Sequence, residues 1–169
     1  NKDKDWVTSF KDRTGCSEVY GYHSNKDNPQ NHYWSTVEKK CDGKVTNTSK
    51  YEFFHRDRPD GLGKYLYRAR SEINGEISDI VYHEVFGKPL TILENSRKTD
   101  YSYYPNGLVK TKSEEFRKME FSYSAPCNKL SNLTTTYTSP AVKGKKAESR
   151  TVKAQFSYDP KKCNLTLAR

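Results

Sequence analysis

The chain has 169 residues, a net charge of +9 and only 29 Leu, Ile, Val and Phe residues, which excludes a large aliphatic core. No apolar run approaches the roughly 18 residues of a membrane-spanning helix, which excludes a helical membrane anchor within this sequence. The 13 Tyr and 2 Trp residues supply other apolar area, because a buried aromatic ring removes roughly 150–250 Å² from water. We therefore expect an ordered, β-rich protein with a thin core.

The positive charge belongs to the second half of the chain. Residues 1–84 carry 14 basic and 14 acidic side chains, whereas residues 85–169 carry 16 basic and 7 acidic ones. The densest basic group is Lys143, Lys145, Lys146, Arg150 and Lys153. Such a group attracts an anionic polysaccharide, a nucleic acid or an acidic envelope surface, and it is equally typical of a solvated lysine-rich loop.

The first predicted region is a polar segment, residues 1–49, that contains Cys16 and Cys41. With Cys127 and Cys163 the chain has four cysteines and no Cys-x-x-Cys pair, which permits two disulfides in three connectivities. Disulfides would indicate an oxidising compartment, the periplasm or the exterior of the cell. Because Met119 is the only Met, we expect a fragment or a processed product of a longer secreted chain.

The second predicted region, residues 50–169, is rich in strand and turn signals. Residues 51–54 read as a strand before a Pro-Asp-Gly turn at 59–61, and Asn74-Gly75 is a hairpin signal. The predicted strand at 65–73 places alternate residues on one face. These are Tyr65, Tyr67, Ala69, Ser71 and Ile73.

A repeat organises the last third of the chain. Lys-Met-Glu-Phe-Ser-Tyr at 118–123, followed by Cys127-Asn128, recurs as Lys-Ala-Gln-Phe-Ser-Tyr at 153–158, followed by Cys163-Asn164. In the first copy, Met119, Phe121 and Tyr123 alternate with polar residues, as in a half-buried strand. Turn residues follow the strand-like runs at Phe86-Gly87, Pro105-Asn106-Gly107 and Ala125-Pro126. Each unit is predicted as a strand, a turn and a returning strand.

These units resemble the tyrosine-aspartate (YD) repeats of bacterial Rhs and related proteins. The resemblance rests on Tyr-Ser-Tyr-Tyr-Pro-Asn-Gly-Leu at 101–108, on Val-Tyr-His-Glu-Val-Phe-Gly-Lys-Pro at 81–89 and on Tyr158-Asp159. It covers about residues 50–169, and a long insert at 135–152 departs from the pattern. Three units carry another residue in place of the Asp: His83, Tyr104 and Ser124.

The resemblance implies an all-β fold, an antiparallel sheet of successive hairpins that curls or spirals into a hollow shell. Equivalent positions of neighbouring units approach each other in such an array, which implies a Cys127–Cys163 disulfide and leaves Cys16–Cys41 for the N-terminal segment. A cross-link over such a loop stabilises a fold by roughly 3 kcal/mol. Repeats of this family enclose other segments of their polypeptide, and they do not catalyse reactions themselves.

Candidate chemistry is sparse. The sequence contains no Walker A loop, no dinucleotide-binding glycine motif, no His-Glu-x-x-His and no Gly-x-Ser-x-Gly. His55 beside Arg56 supplies a base and a phosphate-binding cation for a nuclease, and it also reads as a surface turn of alternating charge. Tyr101 and Tyr103 near Lys110 supply rings for stacking on a sugar, and they also read as a cross-strand ladder.

The sequence therefore predicts a non-catalytic segment of a secreted, periplasmic or cell-surface protein with a structural, display or interaction role. Its expected partners are other segments of a longer polypeptide; no cofactor, metal or nucleic acid is expected. One alternative is an anionic glycan-binding module, and a second is a small basic nuclease that uses His55 and Arg56. The glycan-binding residues would be Lys143, Lys145, Lys146, Arg150, Lys153, Tyr101 and Tyr103.

Overall fold

The computed structural model describes residues 6–140 and 147–169, and every regular element within them is a β-strand. The predicted all-β class, an antiparallel arrangement of successive hairpins, is confirmed. The chain divides into two compact units, Asn1–Ser96 and Arg97–Arg169. The expected boundary between residues 49 and 50 lies inside a strand, Lys44–Asp57. Within the described ranges, no helix is long and apolar enough to cross a membrane.

The N-terminal unit is a meander in which each strand pairs with the strands next to it in the chain. All of these pairings are antiparallel. Its strands are β1 (Ser9–Lys11), β2 (Ser17–Ser24), β3 (His32–Cys41), β4 (Lys44–Asp57), β5 (Lys64–Ile73), β6 (Glu76–Tyr82) and β7 (Pro89–Glu94).

The C-terminal unit is built in the same way, and its pairings are also antiparallel between consecutive strands. Its strands are β8 (Arg97–Tyr103), β9 (Val109–Glu114), β10 (Arg117–Ser124), β11 (Lys129–Thr138), β12 (Ser149–Tyr158) and β13 (Leu165–Ala168). The repeat found in the sequence corresponds to the hairpins β10–β11 and β12–β13.

Two-residue turns join β3 to β4 and β5 to β6. Both central residues of each turn have positive φ: 51° and 73° at Asp42-Gly43, and 51° and 86° at Asn74-Gly75. This is the backbone of a type I′ turn, whose twist matches that of the flanking strands and which favours Asn or Asp followed by Gly. The hairpin predicted at Asn74-Gly75 is therefore present, with Ile73 paired to Glu76.

The turns after Tyr82, Tyr123 and Tyr158 share a different geometry, whereas in the turn after Tyr103 the donor to Tyr104 is Gly107, three positions later. In the first three turns, the residue that follows the Tyr accepts a backbone hydrogen bond from the residue four positions later: from Gly87 to His83 at 2.9 Å, and from Cys163 to Asp159 at 2.8 Å. Asn128 donates to Ser124 in the same way, at 2.8 Å. The three donors have positive φ, 60°, 55° and 51° respectively. Units that differ in sequence thus close on the same backbone turn.

The Asp of the Tyr-Asp pair has a visible structural role in one of these turns. The Asp159 carboxylate accepts hydrogen bonds from the backbone N–H groups of Lys161 and Lys162, at 2.9 and 2.7 Å. His83 occupies the corresponding position, and its Nδ1 accepts the N–H of Val85 at 3.1 Å. An acceptor side chain at this position satisfies turn N–H groups that have no strand partner, which is why Asp suits it.

The prediction that alternate residues of β5 from Tyr65 to Ile73 share one face is wrong for the first half of the strand. Ala69 lies opposite Phe53, but a bulge opposite the Phe54–His55 step inserts an extra residue into β5. The Tyr67 ring consequently approaches Phe54, with centroids 6.1 Å apart. Since Phe53 and Phe54 point to opposite faces, Tyr67 and Ala69 do so as well.

Two disulfides are present, in the pairs Cys16–Cys41 and Cys127–Cys163. The first ties the residue before β2 to the end of β3, with Cα atoms 4.2 Å apart. The second ties the β10–β11 turn to the β12–β13 turn, with Cα atoms 5.6 Å apart. These are the pairs that the repeat resemblance implied, and the second one joins equivalent turns of the two repeat copies.

The described residues enclose no apolar core. None of their apolar side chains is buried, and the buried polar side chain is that of Thr135, which is 8% exposed. Apolar side chains instead pack beside one another on a sheet face. Backbone pairing and cross-strand contacts therefore contribute a larger share of the stability than in a layered domain.

We expect Asn74→Ala to lower the free energy of unfolding by about 1–2 kcal/mol, measured by urea denaturation. Alanine is strained at positive φ, and it also removes the side-chain oxygen that accepts the N–H of Thr48 at 2.9 Å. Asn74→Asp is the matched control, because it keeps the acceptor and tolerates the same backbone. Equal stability of the two variants would contradict this account of the turn.

Candidate binding surface

The C-terminal unit has one apolar face, which the strand register identifies. Directly paired residues lie on the same face, and one row of pairs runs Tyr101, Lys112, Met119, Thr135, Val152 across five strands. A neighbouring row on this face runs Phe121, Leu133, Ala154. We call this surface the apolar face. The predicted alternation at Met119, Phe121 and Tyr123 is confirmed, since all three side chains belong to it.

The opposite face carries hydroxyl and charged groups. Its rows are Ser102, Thr111, Glu120, Thr134, Lys153 and Asp100, Ser113, Lys118, Thr136, Thr151. The hydroxyl of Ser102 lies 2.6 Å from that of Thr111, and the hydroxyl of Thr136 lies 3.3 Å from that of Thr151. We call this surface the hydroxyl face. The sheet of this unit is therefore strongly amphipathic.

A charged row closes one end of the apolar face. It runs Glu114, Arg117, Tyr137, Arg150 across β9 to β12. Arg117 donates two hydrogen bonds to the Glu114 carboxylate, Nε to Oε2 at 2.8 Å and Nη2 to Oε1 at 2.9 Å. Lys112 Nζ lies 2.7 Å from Glu114 Oε1. Hydrogen bonds from Arg117, and then from Lys112, lower the pKa of Glu114 to about 2.

The predicted basic group does not form one patch on the described residues. Arg150 pairs with Tyr137 on the apolar face, whereas Lys153 pairs with Thr134 on the hydroxyl face. Positions three apart on a strand point to opposite sides of the sheet. Lys143, Lys145 and Lys146 lie outside the described residues. A single ligand therefore does not meet Arg150 and Lys153 on one surface of the strand.

The two candidate tyrosines lie on the apolar face, at its far side from Arg150. Tyr103 pairs with Val109, and the Lys112 Nζ lies 5.9 Å from the centroid of the Tyr101 ring. Four strand spacings separate Tyr101 on β8 from Arg150 on β12, about 19 Å at the usual spacing between strands. Among the described residues, the two predicted rings and Arg150 thus do not lie together in one compact site.

The candidate nuclease pair is divided between the two faces of β4. The His55 ring stacks on that of Tyr33, with centroids 5.5 Å apart, whereas the Arg56 guanidinium lies 3.9 Å from the centroid of Tyr67. Burial lowers the pKa of His55, and the charge of Lys64 lowers it further. Its Nδ1 is buried and makes no hydrogen bond within the described part of the chain. His55 and Arg56 do not converge on one substrate position.

Sequence reasoning missed an aromatic ladder in the N-terminal unit. His23 stacks on Trp34 with centroids 5.4 Å apart, and His32 stacks on Phe54 at 4.2 Å with an interplanar angle of 18°. His32 also lies 5.4 Å from Trp34, so the rings form a continuous series across β2, β3 and β4. The sequence carried a partial signal, with rings at the alternate positions His32 and Trp34 and at Phe54, but it did not show which rings meet.

The rings of this ladder pack on one another and do not form an open platform on which a ligand could stack. In the His32–Phe54 pair, each ring covers a face of the other, so that face is closed to a sugar or a base. Two cations beside the ladder are also engaged. Arg68, 5.3 Å from the Phe54 centroid, donates from Nε to the Asp79 carboxylate at 2.9 Å, and Lys50, 5.3 Å from the Trp34 centroid, lies 2.9 Å from Glu52 Oε1. The pKa of Arg68 is raised by the hydrogen bond to Asp79.

No protein-family model matches this chain, and no curated protein is similar to it. The resemblance to tyrosine-aspartate repeats therefore stays a prediction. Within residues 6–140 and 147–169, no three His, Cys, Asp or Glu side chains are grouped in a way that could hold a metal ion.

Protonation of Glu114 in acid should lower the free energy of unfolding. Because its pKa is about 2 in the folded state and about 4.5 in the unfolded chain, its contribution is complete above pH ~5 and is lost as the pH falls towards 2. We expect about 1 kcal/mol after allowance for solvent screening. Glu114→Gln should flatten the decline of the unfolding free energy over this interval, and Glu115→Gln, at the exposed neighbour, should not. Equal pH slopes for Glu114→Gln and the unmodified protein would contradict this role.

Proposed function

We propose that the chain is a non-catalytic structural segment of a secreted or cell-envelope protein, built like a tyrosine-aspartate repeat array. The observation that carries the proposal is the apolar face on a sheet whose described residues enclose no apolar core. A face of this kind is stable in water when another protein segment packs on it. The chain would then enclose, display or hold such a segment.

Three further features support this role. The turns at His83, Ser124 and Asp159 close in the same way, as expected when one hairpin unit is repeated with sequence drift. Both disulfides support an oxidising compartment, since they persist in secreted and periplasmic proteins. The described side chains among those expected for glycan binding, and the His55 and Arg56 pair expected for nuclease chemistry, lie on different faces of their strands.

The competing glycan-binding role predicts selective loss of affinity for a sulfated polysaccharide. We expect that neutralising Lys143, Lys145, Lys146 and Arg150 to Gln lowers the salt concentration of elution from heparin resin. The decrease should be no larger than for a matched variant with Lys11, Lys26, Lys39 and Lys44 neutralised, because both variants lose four charges. Abolished retention in the first variant alone would favour the glycan-binding module over the structural role.

The nuclease alternative is tested with the purified chain and single-stranded RNA or DNA. We expect no cleavage above the buffer control. Cleavage that is lost in His55→Ala but kept in Tyr33→Phe would overturn the proposed function, because Tyr33→Phe preserves the ring that stacks on His55. Such a result would assign base chemistry to the imidazole.

A further inference from the structure

The strands of the C-terminal unit leave apolar side chains open to water. None of the described apolar side chains is buried. Several large ones on β11 to β13 are well exposed, namely Tyr137, Val152, Leu165 and Leu167.

The apolar face of the C-terminal unit contributes a contiguous part of this surface. It offers Phe121, Leu133 and Met119 at its centre, and Val152 remains 47% exposed. Tyr137 in the charged row is also 47% exposed. Contiguous apolar patches on soluble proteins mark interaction sites, whereas scattered apolar residues do not.

The rows of this face can meet themselves in reverse about a two-fold axis. A two-fold axis parallel to the strands, placed between β10 and β11, superposes β9 of one copy on β12 of the other. The charged row Glu114, Arg117, Tyr137, Arg150 then meets itself in reverse, so that Glu114 faces Arg150 and Arg117 faces Tyr137. Each contact occurs twice because a two-fold interface is isologous.

The same two-fold rotation brings the apolar rows of the two copies together. Phe121 on β10 then faces Leu133 on β11 of the other copy, and Met119 faces Thr135. Lys112 faces Val152, which its aliphatic stem can cover while the ammonium group stays on Glu114. Arg150 is exposed, and no ion pair joins it to another described residue. Its pairing with Glu114 of the second copy would add a charge contact at the rim of the interface.

We propose that the apolar face of the C-terminal unit packs against the same face of a second copy of this chain, about a two-fold axis parallel to the strands. The two sheets then form a sandwich in which each covers the apolar side chains of the other. This goes beyond the proposed structural role, which leaves the covering segment unnamed. A chain that is monomeric and cleaves no nucleic acid would overturn the dimer but not the structural role. Nucleic-acid cleavage that depends on His55 would overturn the structural role but not the dimer.

The test is the mass of the full chain in solution, by light scattering or sedimentation, over about 1–100 µM protein. We expect twice the 19.6 kDa chain mass at the upper end of this range. A monomer at every concentration, with strand content intact by circular dichroism, would overturn the proposal. An assembly larger than two would also do so, because a two-fold face closes on a dimer.

Two matched pairs of variants locate the interface. Arg150→Glu should weaken the dimer about tenfold or more, since two attractive pairs become repulsive. Lys153→Glu makes the same charge change on the hydroxyl face of the same strand and should leave the dimer intact. Val152→Lys should dissociate the dimer, and Thr151→Lys, its neighbour on the hydroxyl face, should not. Equal effects within either pair, or no effect of Arg150→Glu and Val152→Lys, would overturn the proposed interface.

Discussion

Cohesion in this protein depends on contact between neighbouring strands, because the described residues enclose no layer of apolar side chains. Within each unit, the strands pair with their neighbours in the chain, and the side chains pack against those of the same neighbours. In a layered domain, one core connects distant parts of the sequence. Here the interactions are local, so we expect each strand to be stabilised mainly by its immediate neighbours, as in repeat proteins.

Turns and cross-links matter more under this constraint. A hairpin whose faces are open to water gains little from burial, so its register depends on the backbone of the turn and on side chains that satisfy the turn N–H groups. Asp159 does this with its carboxylate, and the Asn74 side-chain oxygen accepts the N–H of Thr48 on the neighbouring strand β4. The Cys127–Cys163 disulfide holds the turns of two hairpins together at one end of the sheet. The same openness leaves the apolar face available to a partner.

Local signals in the sequence predicted local features well. Asn74-Gly75 specified a hairpin because few residue pairs accept two positive φ angles, and Met119, Phe121 and Tyr123 specified a face because strand side chains alternate. The bulge in β5 escaped prediction, since an extra residue has no signature in the Tyr65–Ile73 alternation and depends on the partner strand. Arg150 and Lys153 looked like one basic group in sequence, although their odd spacing already separates them on a strand. The aromatic ladder needed the register of three strands, which composition does not supply.

The most direct measurement of strand-to-strand cohesion is amide hydrogen exchange, by mass spectrometry, in the N-terminal unit after the Cys16–Cys41 disulfide is removed. In a variant with both residues changed to Ser, we expect faster exchange in β2 and β3, which the disulfide joins, and unchanged exchange in β6, three strands away from β3. Acceleration of β2, β3 and β6 by the same factor would contradict this expectation, because that result indicates a single cooperative core.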